Sequence, residues 1–209
     1  MHTVDQVLAM IFDNKPISEI KDQDLIDLIG NQEENLWIDF KERHYEGYRT
    51  DGEKYKREIC KDVTAMVNAE GGYILIGVGE ENKIAQRFVD IPDTERKTES
   101  IYNTCHQHIV PRIAKLEVKP HKLRLPDKEC NLIIIHIPFS ENRPHGFNSR
   151  GTLNFVKRYG DTTKEFQIEE FIPDLLARHQ LSSMDDIRGQ LDRIESQTTN
   201  ILKEIGGNK

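Results

Sequence analysis

CKDVTAMVNAEGGYILIGVGEENKI, residues 60–84, changes its hydrophobic period at a pair of glycines. Upstream of them, Tyr55, Ile59, Val63, Met66 and Val67 recur in steps of three and four, which predicts an amphipathic helix over 53–69. Lys54, Arg57 and Lys61 share the same spacing elsewhere on that helix and form a basic ridge. Glu70-Gly71-Gly72 ends the helix, and a tight helix-to-strand turn there calls for positive φ, which glycine adopts without a Cβ clash. Tyr73–Val78 (YILIGV) then reads as a buried strand, and EENK at 80–83 turns the chain.

Toward the N-terminus, LWIDFK (36–41) alternates as a strand, with Leu36, Ile38 and Phe40 toward the core and Trp37, Asp39 and Lys41 on the other face. Residues 4–13 and 18–29 carry apolar residues at helical spacing, with Ser18 as an N-cap and Gly30 as a terminator. The polar stretch His44 to Gly52 predicts a loop.

Toward the C-terminus, a helix is expected over 94–109, closed by Pro111, then strands near 115–124 and 131–138 joined at Pro126-Asp127. LIIIHIP in the second strand is apolar nearly throughout, which suits a central strand covered on both faces. LNFVKRY predicts one further strand at 153–159, Gly160-Asp161-Thr162-Thr163 a turn, and a helix begins near Gln167. Irregular alternation of this kind gives an α+β (mixed α/β) fold with a central mixed sheet, flanking helices and a C-terminal helical tail. In the tail, Met184, Ile187, Leu191, Ile194, Thr198, Ile201 and Ile205 make a heptad seam. It fits a self-associating coiled coil, hence a homo-oligomer, or a helix packed on its own domain.

Hydrophobic residues at 36% and charged residues at 31% describe a soluble globular chain. No apolar run approaches the roughly 20 residues that span a bilayer. The start of the chain shows neither a basic n-region nor a small-residue cleavage site, so no secretory signal is expected. Cys60, Cys105 and Cys130 have no metal-ligand spacing, and free thiols in a cytoplasmic protein are expected. A net charge of −7 argues against a lysine-coated general nucleic-acid binder but permits a local basic surface.

Glu34, Asp39 and Glu80 are the acidic groups that could converge at a sheet end, Glu80 falling by strict alternation on the face of Ile74, Ile76 and Val78. Three such carboxylates suit Mg or Mn, which take hard oxygen ligands; equally, they could be solvated surface acids. Two basic sets could contact phosphates: Lys41, Arg43, Lys54, Arg57 and Lys61, and Arg143, His145, Arg150, Lys157 and Arg158. Tyr45, Tyr48 and Phe147 could stack on bases or pack locally. The glycines around YILIGV do not form a phosphate loop, because GxxxxGK[ST] is absent and they bracket a strand.

ENLWIDFK (34–41), CKDVTAMVNAEGGYILIGVGEENKI (60–84) and FVKRYGDTT (155–163), in that order, resemble the Schlafen AlbA domain family. The resemblance covers about 20–178 and divides the chain into an N-terminal helical segment (1–30), an AlbA-like domain (31–178) and a C-terminal amphipathic helix (181–205). It implies nucleic-acid binding and, as in Schlafen ribonucleases acting on tRNA, a metal-dependent site of three carboxylates, here Glu34, Asp39 and Glu80. Asp39 stands where the family usually has Glu, and Glu80 where it usually has Asp. RNA is expected ahead of DNA. A non-catalytic DNA- or RNA-binding regulator and an assembly adaptor are the alternatives.

Overall fold

A computed structural model of the chain describes residues 15–45 and 50–177, together with Phe12, Arg188 and Asp192. The expected helix over 4–13 (Phe12 apart), Tyr48 and the heptad seam from Met184 onward lie outside these residues. Two compact units divide at Phe166, the second comprising 167–209, of which 168–177 is helical.

The first unit is built on a mixed sheet of four strands: β1 (Ile38–Lys41), β2 (Gly72–Ile76), β6 (Glu117–Arg124) and β7 (Glu129–Ile137), in the order β1-β2-β7-β6. β1 and β2 run parallel, and the crossover between them carries helix α2 (Gly52–Val67); the other pairings are antiparallel. Alternation sorts β2 and β7 onto two cores. Ile74, Ile76, Ile133, Ile135 and Ile137 pack with α2 and with α3 (Thr94–His108). Tyr73, Leu75, Leu132 and Ile134 join Ile38, Phe40 and the N-terminal Ile17, Ile20, Leu25 and Leu28 on the other face. Both faces of β7 are therefore covered, as its apolar run implies.

The expected stripe of α2 is entirely buried. At about 1.5–3 kcal/mol for each fully buried large apolar side chain, that stripe outweighs any intrinsic propensity in holding the helix. Asp51 caps its start, accepting from the Lys54 backbone N–H at 3.0 Å. Gly71 and Gly72 have φ of 77° and 130°, and a Cβ on either would run into the carbonyl of Ile137 or of Trp37.

Three expectations need correction. The helix over 18–29 shrinks to a 3-10 turn at Ile17–Glu19 and helix α1 at Asp22–Ile26, whose N-cap is Lys21 and not Ser18. The single strand at 153–159 is two: β9 (Thr152–Asn154) pairs with β8 (Gly146–Ser149), while β10 (Val156–Tyr159) pairs with β11 (Thr162–Glu165). Strict alternation through YILIGV fails at Gly77, whose φ of 103° ends β2 and starts β3 (Val78–Glu81), paired with β4 (Ile84–Phe88). Val78 consequently sits in the core of Tyr73 and Leu75 instead of that of Ile74 and Ile76. The two-residue β5 (Ile109–Val110) completes a small sheet beside β8.

Candidate functional site

Asp39 leaves β1 opposite Ile74 of β2, on the face away from Ile38 and Phe40, and is 5% exposed. It is not a solvated surface acid. Its Oδ1 accepts from Arg158 Nη1 at 2.9 Å, and its Oδ2 lies 2.6 Å from Lys41 Nζ. Arg158, on β10, is 4% exposed and also donates from Nη2 to the carbonyl of Ile38 and from Nε to the carbonyls of Asn35 and Gly160. One guanidinium thus ties the start of β1 to the β10–β11 hairpin. A guanidinium this buried and already paired with a carboxylate does not face solvent, so Arg158 is withdrawn from the expected basic surface.

Lys41 reaches a second carboxylate, Asp62 of α2, at 3.4 Å. Burial disfavours its charge, but Asp62 and Asp39 outweigh that and hold the ammonium well above its ordinary pKa. Asp62 is itself pushed up by burial and by Asp39, against the pull of Lys41. Tyr45 donates to Asp62 Oδ2 at 3.2 Å, and burial keeps its phenol protonated. Asp62 and Tyr45 complete an internal network that sequence reading did not assemble; the usable signal was that Asp62 sits next to Lys61 yet off the ridge.

Glu34 and Glu80 have local tasks. Glu34 Oε1 accepts from the Phe40 backbone N–H at 2.7 Å, fixing the entry to β1, and burial raises its pKa with help from Asp39. Glu80 is exposed at the Gly79/Glu80 register shift, and its carboxylate caps the turn by accepting from Lys83 N–H. Among the described residues no group of three or more His, Cys, Asp or Glu is arranged to hold a metal ion. With Asp39 already neutralised by two cations, the trio does not fit the expected Mg or Mn site.

Of the first basic set, Lys41, Arg43, Lys54 and Lys61 line one cleft of about 500 Å³, together with Glu42, Glu58, Asp62 and Glu80. Cations and carboxylates balance there, and Glu42 is also paired with Arg87 at 3.0 Å. Lys54 and Arg57 are exposed and Lys61 is half-buried, so the ridge of α2 survives folding as a surface. On its far side Arg57 and Lys61 line a groove of about 530 Å³.

The second basic set largely dissolves. Arg143 donates to the Ala69 carbonyl at 2.7 Å and lies over the Phe139 ring, while His145 is fully buried. Lys157 sits 5.0 Å from the Phe166 ring. Asn68, at the end of α2, donates to the carbonyls of His145 and Val156 and accepts from His145 N–H, all within 2.8 Å. It staples α2 to the segments on which this set lies, a role its place in the Ala-Met-Val-Asn motif marks without explaining.

Residues 34–167 match the sequence family described as Schlafen, AlbA_2. The chain belongs to the Schlafen, AlbA_2 family. Membership ties its function to nucleic acid at a coarse level, and the family's span ends within one residue of the end of the first compact unit. No curated protein is similar enough in sequence to be matched. Among solved structures, the AlbA_2 chain is similar to the DIP2311 protein from Corynebacterium diphtheriae, with 16% identity and a TM-score of 0.43 over 64% of this chain and 22% of that one. It is also similar to the N-terminal domain of a RecG-related protein from Nitrosomonas europaea, with 20% identity and a TM-score of 0.46 over 71% of this chain and 93% of that one. No helix among the described residues is long and apolar enough to cross a membrane.

Proposed function

We propose that this chain is a nucleic-acid-binding module that holds the phosphate backbone of structured RNA on the Lys54–Arg57–Lys61 ridge. The observation that carries the reading is the ridge itself: three cations one helical turn apart, standing between two concave surfaces on a chain that is acidic overall. Phosphate contacts of this kind supply affinity and position without reading sequence. RNA ahead of DNA follows from the family resemblance alone. A cytoplasmic location is in keeping with three cysteines outside any disulfide.

A nuclease reading has one observation in its favour, namely that Glu80 shares the cleft with Lys41, Glu58 and Asp62. Asp39 is paired with Arg158 and Lys41, so no step through Mg or Mn is assigned. Assembly into a homo-oligomer belongs to the same proposal.

Fluorescence anisotropy with a blunt RNA hairpin, and with a DNA duplex of equal length, tests the binding at several salt concentrations. Reversing Lys54, Arg57 and Lys61 to Glu should abolish measurable binding at physiological salt. Single neutralisations should each lower the salt slope by about one. Affinity unchanged by the triple reversal overturns the proposal. The same hairpin incubated with Mg or Mn decides the second reading: cleavage lost in Glu80→Gln supports it, and intact RNA removes it. A strictly monomeric mass by light scattering removes the homo-oligomer.

A further inference from the structure

The groove beyond the ridge differs in kind from the cleft. Its apolar surface comes from Phe147, Leu153, Phe155 and Phe166, of which Leu153 is 47% exposed. Its charges are Arg57, Lys61 and Lys164 against the single carboxylate Glu165. Lys164 also stands directly opposite Lys157 in the β10–β11 ladder. Like charges directly opposite each other on an antiparallel pair are destabilising.

We infer that this groove binds an unpaired stretch of nucleic acid continuing from the segment held on the ridge, with a base against Leu153 and Phe155 and phosphates on Arg57, Lys61 and Lys164. The inference rests on the ridge reading, because Arg57 and Lys61 belong to both surfaces. Single-strand sites combine these two ingredients, an apolar or aromatic platform and a cationic track. The excess of cations favours a polyanion over a peptide. The volume falls in the range of about 300–1,000 Å³ usual for ligand sites and leaves room for a base.

The test uses the full chain and anisotropy with three probes: a blunt hairpin, the same hairpin with a short single-stranded tail at its 5′ end, and the same with a tail at its 3′ end. One tail polarity should tighten binding about tenfold, the size of one stacked base. Leu153→Glu, at an exposed position and checked for an unchanged melting curve, should erase that gain and leave the blunt hairpin's affinity as it was. Phe155→Leu should erase part of it. Equal affinity for tailed and blunt probes, or a gain that survives Leu153→Glu, overturns the inference while the ridge reading stands. If the blunt hairpin does not bind, the ridge reading fails. The isolated tail oligonucleotide then decides the groove: binding sensitive to Leu153→Glu supports it, and no binding overturns it.

Discussion

The two basic clusters look alike in sequence and end in opposite places. Lys54, Arg57 and Lys61 stay on the surface of α2, whereas Arg143 and Arg158 turn inward to backbone carbonyls and, for Arg158, to Asp39. The difference teaches that a cation's availability depends on the acceptors around it. α2 satisfies its own carbonyls internally, so cations on its outer face meet water. Arg143 and Arg158 instead lie where carbonyls at Ala69, Asn35, Ile38 and Gly160 accept from their guanidinium groups.

Removing a clamp should break the contrast most severely. Arg158→Ala leaves Asp39 buried with Lys41 alone and three carbonyls without their donor, and should destabilise the protein by about 3–5 kcal/mol in urea denaturation. Arg57→Ala should shift the same midpoint by no more than about 0.5 kcal/mol. Equal effects from the two would show that Arg158 is not internal. Asn68→Ala comes next, orphaning His145 N–H and the carbonyls of His145 and Val156. The expected loss is about 2–4 kcal/mol, with little change in hairpin affinity measured at a temperature where the variant is folded.

His44 gives a smaller effect than either internal clamp and sharpens the boundary between cleft and core. It lines the cleft and also lies beside the rings of Tyr45 and Tyr55. Burial and the nearby Lys97 charge depress its pKa from 6.5 to about 4. The unfolded chain therefore takes up this proton at higher pH than the folded one. Its contribution is intact above about pH 6.5 and is lost as pH falls toward 4. With its partial exposure discounted, the loss should amount to about 1–2 kcal/mol. His44→Phe should flatten that part of the stability profile; identical pH profiles for the two proteins would place the imidazole in water.

Much of the fold was legible because period alone carries it. The stripe of α2 and the apolar runs of β2 and β7 each admit one reading, and the glycine pair at 71–72 has no other residue that would fit. Where the reading slipped, a local backbone choice intervened. Gly77 reset the alternation that had placed Glu80, and the break at Phe155 sent β9 and β10 to different partners.

The sequence by itself determined α2, α3, the strands of the central sheet, the two-sided core and the family, since these follow from periodicity and from motifs read in order. It also placed the ridge, because spacing of three and four on a helix fixes a face. Only the tertiary structure decided what the charges do. Asp39 and Arg158 lie 119 residues apart in the chain, and nothing local to either signals the other. Their pairing exists because the β10–β11 hairpin is brought against β1, and in that buried contact a carboxylate and a guanidinium neutralise each other.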